Sequence, residues 1–191
     1  TREGGVMRLE HLVSQINEEM YQKIRQNQTM NDEEAKETAK VVALSAIKYG
    51  DLSNQASKDY IFDVERFTSF EGNTGPYILY TIVRIKSILN RYAAEGKDAG
   101  TEGIRPAGTE SEKNLMLQIS RFSAAMETAF EETAPHKVCA YIYELANAFN
   151  HFYHETRILA EEDETVKAGY IRLLTLTKDI LETCIDVLGF S

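Results

Sequence analysis

The sequence has 191 residues, and 43% of them are hydrophobic, which is enough for a packed core. Its formal net charge of −9 argues against indiscriminate binding to nucleic-acid backbone, because such binding depends on the neutralisation of phosphates. A nucleic-acid role therefore requires a local basic and aromatic patch on an acidic protein. No apolar run is long enough to span a bilayer, and TREGGVMRLEHL at the start lacks both the pattern of a signal peptide and an initiator methionine. This start suggests a piece of a longer protein.

The first part of the chain predicts two helices. Apolar residues recur at helical spacing over residues 9–24. Asn31 and the acidic residues after it are typical of a helix start, and small residues at 35–47 predict close packing against a neighbouring helix. Gly50 is the predicted end of this second helix. Residues 60–62 are either a brief strand or an extended connector.

Residues 69–84 read SFEGNTGPYILYTIVR and predict a turn followed by a helix with two chemically different faces. At about 100° per residue, one face is apolar and indicates core: Ile78, Ile82, Ile85 and Leu89. The opposite face is aromatic and basic: Tyr77, Tyr80, Arg84 and Arg91. Rings stack on bases and guanidinium groups bind phosphate, so this second face is a candidate nucleic-acid surface. Tyrosines that simply fill a half-buried helix edge would explain the same pattern.

The rest of the chain predicts a loop and three more helices. Residues 94–109 are rich in Gly, Ala and charge and predict a mobile surface loop. Ser111 and Asn114 then open one amphipathic helix, whose apolar side is expected to extend to Phe130. The next helix starts at Pro135, and the last one ends at Gly189.

The helix that begins at Pro135 also has two faces. Its core stripe is apolar: Val138, Ile142, Leu145, Phe149 and Phe152. A different face is polar and aromatic: Tyr143, Asn147, Asn150, His154 and Arg157, with Tyr153 at the border. The wheel therefore predicts that Asn150, Tyr153 and His154 reach a partner, whereas Phe149 and Phe152 are core.

No catalytic or metal site is predicted. Cys139 and Cys184 are too far apart for a metal knuckle and are expected to be buried free thiols in a reducing compartment. His151, His154 and Glu155 lie close together, but a zinc site requires two more ligands. Nucleophile elbows and phosphate-cradling glycine loops are absent from the sequence.

The order of elements, without internal repeats, predicts an all-α helical bundle. The helices from Pro76 onward are expected to form its compact part. The first two helices are expected to form a stalk or packing layer attached to it.

Several motifs resemble the C-terminal part of the arginyl-tRNA synthetase family. KYGDLSN at 48–54, KDYIFD at 58–63 and SFEGNTGPYILY at 69–80 follow the family's order and approximate spacing. PHKVCAYIYELANAFNHFYHETRIL at 135–159 resembles its second fingerprint, and Arg172, Leu173, Leu188 and Gly189 fit its final pattern. Family members usually continue into a short tail with a Pro and a terminal Met, whereas this sequence ends at Ser191.

The resemblance covers essentially the whole chain and implies its organisation. It implies a helical bundle of the class I synthetase anticodon-binding type. Residues 1–68 would be the tail of the catalytic region with its connecting helices, and residues 69–191 the helical anticodon-binding domain. Thr1, Arg2 and Gly4 match the tail of the family's ATP signature loop, whose lysine is absent from this sequence.

The resemblance also implies a function. The parent enzyme would ligate arginine to tRNA(Arg) with ATP and Mg²⁺, in the cytoplasm. This chain would hold tRNA(Arg), next to the missing N-terminal and catalytic regions of the same synthetase, with no DNA or membrane partner. It would have no cofactor and no activity of its own, because the H-x-G-H type motif of class I synthetases is absent.

By position against the family's fingerprints and by the helical wheel, seven residues are expected to bind tRNA: Asn73, Tyr77, Tyr80, Arg84, Asn150, Tyr153 and His154. The tyrosine rings are expected to stack on anticodon-loop bases or pack on ribose. Arg84, with Arg91 as a weaker candidate, is expected to contact phosphate.

Two alternatives stay open. One is a helical protein-interaction module without RNA affinity, which the acidic net charge favours. The other is the anticodon-binding domain of another class I synthetase, such as cysteinyl. SFEGNTGPY and KYGDLSN argue for the arginyl family.

Overall fold

The regular elements of the computed structural model, which describes residues 8–26 and 30–190, are all helices. In chain order they are α1 (Leu9–Gln26), α2 (Asp32–Leu52), α3 (Val64–Phe67), α4 (Gly75–Ala94), α5 (Glu110–Ser120), α6 (Phe122–Glu131), α7 (Pro135–Glu155) and α8 (Glu164–Val187), with a 3₁₀ turn at Ile158–Ala160. The predicted all-α fold is confirmed. No helix in this described part combines the length and apolar content that a membrane span needs. Thr1, Arg2 and Gly4 lie outside the described residues.

The helices bury two hydrophobic clusters. The larger one lies among α4, α5, α7 and α8 and contains the predicted core residues of α4 and α7, including Ile78, Ile85 and Phe149. The smaller one lies between α1 and α2, where small side chains such as Ala43 let the two helices approach closely. Leu79 of α4 packs against both clusters. The first two helices therefore form a packing layer on the main bundle, which is one of the two predicted arrangements.

Side-chain caps define where α2 and α4 begin. Asn31 caps α2, and Glu34 returns a hydrogen bond to the Asn31 backbone, which completes a capping box and confirms the predicted helix start. Thr74 caps α4 by accepting from the Tyr77 N–H at 3.2 Å. The Thr74 hydroxyl also donates to the Ser69 carbonyl at 2.6 Å. These two bonds tie the turn before α4 to its first helical turn.

Gly75 brings the start of α4 against the backbone of α2. A methyl group at this position would lie 2.2 Å from the Ser45 carbonyl oxygen, well inside van der Waals contact. Ser45 is completely buried, so its backbone has little room to move away. The contact of α4 with α2 therefore requires a glycine here.

One predicted boundary in the first half of the chain is wrong. Gly50 does not end α2, which continues to Leu52. The Phe67 ring lies 3.0 Å from the place of a Gly50 methyl group, so this glycine makes room for an aromatic ring inside the helix. Residues 60–62 form an extended connector rather than a strand.

The single helix predicted from Ser111 to Phe130 is two helices. Its first part begins at Glu110 behind a Thr109 cap, and a turn at Arg121 separates α5 from α6. Phe122 and Met126 of the predicted stripe still pack against the larger core. Phe130 lies at the end of α6 and is 87% exposed, so the prediction that it belongs to the core is wrong.

An ion pair fastens the loop between α4 and α5 to the bundle. Arg105 in this loop lies 3.1 Å from the carboxylate of Glu112, which is only 1% exposed. The Gly108 N–H donates to the same carboxylate at 2.7 Å. The Arg105 guanidinium also lies over the Tyr170 ring, 5.1 Å from its centroid. This part of the predicted mobile loop is therefore anchored to α5 and α8.

The two cysteines are free and buried, as predicted. Burial raises the pKa of both Cys139 and Cys184 to about 12. Their thiols are therefore protonated at neutral pH and belong to the core.

The chain end after α8 returns to α2. Gly189 has a φ of +76° and ends the helix, as predicted. Lys48 of α2 donates to the Gly189 carbonyl, and the Phe190 ring packs edge-on against Tyr49 with centroids 6.1 Å apart. The residues after α8 therefore close the larger core on the α2 side.

Gly75→Ala tests the contact between α4 and α2. We expect it to lower the free energy of unfolding by about 1–3 kcal/mol, because the added methyl group forces the two helices apart. Urea unfolding followed by circular dichroism measures this loss. Gly103→Ala is the matched control, since nothing lies within 4 Å of its added methyl group. Equal midpoints for the two variants would contradict the close contact.

Arg105→Met tests the buried ion pair. We expect a loss of about 3–5 kcal/mol, because the Glu112 carboxylate stays buried without its counter-charge. The double variant Arg105→Met/Glu112→Gln removes that charge and is expected to recover at least part of the loss. Lys113→Ala breaks an exposed pair with Glu110 and is expected to change stability by less than about 1 kcal/mol. A double variant less stable than Arg105→Met would refute this account.

Candidate nucleic-acid interface

A buried hydrogen-bond network joins α4 to α7. The Asn150 amide of α7 donates to the Tyr77 hydroxyl at 2.9 Å and to the Thr81 hydroxyl at 3.1 Å. The Tyr77 hydroxyl in turn donates to Asn147 at 2.8 Å. Because these residues lie one turn apart on each helix, the network sets both the spacing and the register of α4 against α7.

Arg84 lies at the outer end of this network. One guanidinium nitrogen, Nη1, donates to the side-chain oxygen Oδ1 of Asn150, and Nη2 donates to the Tyr80 hydroxyl at 3.2 Å. The Arg84 Cζ atom lies 4.8 Å from the Tyr80 ring centroid and 4.9 Å from that of Tyr153. We call these four residues, Tyr80, Arg84, Asn150 and Tyr153, the Arg84 cluster. It combines a positive charge with two aromatic rings from different helices.

The two rings of the Arg84 cluster are open to solvent. Tyr80 is 48% exposed and Tyr153 is 37% exposed. Tyr153 also stacks on the buried Phe149 ring, with centroids 6.1 Å apart, and contacts the exposed His154 ring at 5.5 Å. The surface therefore presents two partly exposed aromatic rings, of which Tyr153 packs on Phe149, and exposed rings of this kind can stack on unpaired bases.

Asn73 makes its contact away from the cluster. Its side-chain oxygen accepts from the Tyr49 hydroxyl at 2.6 Å, and the same hydroxyl lies 2.8 Å from the Cys139 carbonyl. A phenol has one hydrogen, so it donates to one of these acceptors at a time. Burial raises the pKa of Tyr49, which keeps it protonated for this role. Asn73 is thus an exposed residue whose side chain is hydrogen-bonded to Tyr49 of α2.

The structure brings six of the seven predicted site residues to one side of α4 and α7, but two of them are not exposed as predicted. Asn150 is only 9% exposed, and both ends of its amide are hydrogen-bonded inside the protein. Tyr77 is half-buried against the core, with its ring 5.9 Å from that of Tyr143. The wheel misplaced them because it describes one helix at a time, whereas α7 covers Tyr77 and α4 covers Asn150.

Sequence reasoning did not select Thr81 and Asn147 as site residues, although both belong to the network. Asn147 lies three residues before Asn150, and Thr81 lies four residues after Tyr77. This helical spacing was the available signal. Thr81 is completely buried, so apart from this spacing the sequence does not distinguish it from an ordinary core threonine.

Two further candidates of the sequence lie outside the cluster. Arg91 is exposed on α4, about two turns beyond Arg84. His151 contacts Glu155 at 3.6 Å on α7. In residues 8–26 and 30–190, no group of three or more His, Cys, Asp or Glu side chains is arranged to hold a metal ion.

Comparisons with known proteins agree with this architecture. Residues 78–191 match the family model described as the DALR anticodon binding domain. Residues 1–64 match the model for the catalytic domain of class I (R) tRNA synthetases. The chain belongs to the family of DALR anticodon-binding domains.

The relatives identify the kind of synthetase. The chain is 64% identical over its whole length to the arginine–tRNA ligase of Agathobacter rectalis and covers 33% of that protein. It resembles the arginyl-tRNA synthetase structure from Thermus thermophilus with a TM-score of 0.82 at 27% identity, over 97% of this chain and 32% of that one. For the Plasmodium falciparum enzyme the TM-score is 0.80 at 26% identity, over 96% and 33%.

These matches confirm the resemblance to the C-terminal part of arginyl-tRNA synthetase and favour it over the cysteinyl alternative. The chain spans about a third of the length of the curated relatives it matches.

The burial of Tyr77 generates a pH prediction. Burial raises the Tyr77 pKa above its ordinary value of 10.0, although the bond from Asn150 opposes the shift. Above about pH 10 the unfolded chain therefore loses this proton before the folded chain does, and stability falls. We expect Tyr77→Phe to show a shallower fall in unfolding free energy than the unmodified chain between about pH 9 and pH 11.

Urea unfolding at each pH measures this slope, and only differences across pH are compared, because the variant also loses hydrogen bonds. Tyr49→Phe is expected to act in the same direction, since burial raises the Tyr49 pKa as well. A slope unchanged by Tyr77→Phe would show that this hydroxyl does not titrate differently in the folded chain.

Proposed function

We propose that this chain holds the anticodon arm of tRNA(Arg) for an arginine–tRNA ligase. The parent enzyme ligates arginine to tRNA(Arg) with ATP and Mg²⁺ in the cytoplasm. Residues 1–68 form the tail of its catalytic region with connecting helices, and residues 69–191 form the anticodon-binding domain. Thr1, Arg2 and Gly4 are the remnant of the tail of the enzyme's ATP signature loop, and the chain alone performs no chemistry. The names of the relatives and the two family matches support this proposal.

The observation that carries the proposal is the Arg84 cluster. Its two exposed rings lie beside a guanidinium group on a chain whose net charge is −9. Such a pairing is the local basic and aromatic patch that an acidic RNA-binding protein requires. Each base stacked on a ring contributes about 1–3 kcal/mol, so the loss of either ring is expected to change the affinity measurably.

The other proposed tRNA-binding residues have different parts in this surface. His154 extends the aromatic surface beyond Tyr153. Asn73 offers an exposed amide near the start of α4, held by Tyr49. Tyr77 and Asn150 contribute through the network beneath the rings rather than by exposure. Arg84 supplies the positive charge.

Tyr80→Ala and Tyr153→Ala test the proposal. We expect each to weaken binding of tRNA(Arg) by about 1–3 kcal/mol, roughly 5- to 150-fold, because a stacking platform is lost. Fluorescence titration of this chain with tRNA(Arg) and with a non-cognate tRNA, at two salt concentrations, measures the affinities. The unmodified chain is expected to prefer tRNA(Arg) and to bind it less tightly at high salt.

Two variants serve as controls. Phe130→Ala removes an exposed ring from α6, at the opposite end of α7 from Tyr153. Lys86→Ala removes a positive charge of α4 that pairs with Glu182 of α8. Both are expected to leave affinity for tRNA(Arg) nearly unchanged. Absence of tRNA binding by the folded chain would instead favour the protein-interaction alternative. Equal losses in the controls and in the tyrosine variants would exclude this surface as the site.

A further inference from the structure

The Arg84 guanidinium is held at several points before any RNA is present. It donates to Asn150 and Tyr80, and its Cζ atom lies within 5 Å of the Tyr80 and Tyr153 ring centroids. Two of its five N–H groups are used in these bonds. The side chain therefore bridges two helices instead of extending into solvent.

Asn150 is the only buried member of the Arg84 cluster. The orientation of its amide is determined by the hydrogen bonds that its nitrogen makes away from Arg84. Its amide nitrogen donates to the Tyr77 and Thr81 hydroxyls, and Thr81 is completely buried. Rotating the amide to face RNA would break these two bonds and the bond to Arg84. Asn150 therefore presents a fixed acceptor to Arg84 and is unsuited to contact RNA itself.

A fixed acceptor matters because arginine is flexible. A surface arginine and two half-exposed tyrosines lose conformational freedom when they bind a ligand, and that loss weakens binding. Anchoring the guanidinium on Asn150 orders the charge, and the charge orders both rings through its contacts with their faces. The ordering is then complete before the ligand arrives.

We propose that Asn150 is a positioning residue that fixes the Arg84 guanidinium over the Tyr80 and Tyr153 rings, and that Arg84 orients these rings for base stacking instead of neutralising a phosphate. This inference rests on the proposed function, since it assigns roles within the same RNA surface. It differs from the expectation that the sequence raised for Arg84, which was phosphate contact.

The first test needs no RNA. In the free chain, ring currents from Tyr80 and Tyr153 are expected to shift the NMR signals of the Arg84 side chain away from random-coil positions. Asn150→Ala is expected to return them toward random coil, and Asn150→Asp, which keeps an acceptor facing Arg84, is expected to restore the shifts. Arg84 signals at random-coil positions in the unmodified chain, or unaffected by Asn150→Ala, would overturn the positioning role.

The second test uses the affinity for tRNA(Arg) over a range of salt concentrations. We expect Asn150→Ala and Arg84→Met each to weaken binding about fivefold to twentyfold, without changing the slope of log affinity against log salt. Loss of a phosphate contact would reduce that slope by about one. A reduced slope for Arg84→Met would therefore overturn the role assigned to Arg84, and this variant leaves the buried Asn150 in place if Asn150→Ala fails to fold.

A double variant separates positioning from general destabilisation. If Asn150 acts only through Arg84, Asn150→Ala/Arg84→Met binds no more weakly than Arg84→Met alone. Additive losses would contradict the inference. Thr177→Ala is the control, because it removes a buried hydroxyl of α8 that bonds to Leu173, and it is expected to lower stability without changing the Arg84 signals or the affinity.

The outcomes also distinguish this inference from the proposed function. If Tyr80→Ala and Tyr153→Ala weaken tRNA binding but Asn150→Ala does not, the RNA surface stands and the positioning role falls. If the tyrosine variants bind normally, the proposed RNA surface falls, and the assignment of Arg84 to base stacking falls with it. The NMR result would then report only whether Asn150 holds Arg84.

Discussion

The packing of α4 is the constraint on which the rest of the structure depends. Its apolar face enters the larger core, its start lies against the α2 backbone at Gly75, and its outer side is joined to α7 through Asn150. These three contacts fix the position and the rotation of one helix. Since Tyr80 and Arg84 project from that helix, its placement decides where the aromatic and basic side chains meet α7.

The surface on α4 and α7, proposed here as the RNA-binding patch, combines basic and aromatic side chains on an acidic protein. Net charge acts over the whole surface and is screened within about 8 Å at physiological salt, whereas stacking and cation–π contacts act at the rings themselves. A single guanidinium held between two helices thus makes the surface locally basic, which the overall charge of −9 does not predict. The chemistry of ligation is proposed to reside in the rest of the parent enzyme. The proposed RNA-binding role therefore requires no catalytic group in this surface.

Much of the fold could be predicted from the sequence because local signals agreed with tertiary packing. Asn31 capped its helix, and Gly189 ended α8, since both effects act within one helical turn. Gly50 and Phe130 were misjudged because their environments depend on distant parts. Phe67 packs on Gly50 from another helix, and Phe130 lies at the end of α6, where it is exposed. Local periodicity carries no information about either.

The sequence by itself determined the helical class, the family, the two-faced character of α4 and α7, and which residue types could bind RNA. These features follow from periodicity, from capping chemistry and from motifs whose order is visible in one dimension. Only the tertiary structure decided which of the candidates are exposed. Tyr80 and Tyr153 face solvent, whereas Asn150 and much of Tyr77 are covered, because a side chain's exposure depends on the helix packed against it. A helical wheel describes one helix and gives no information about the helices that pack against it.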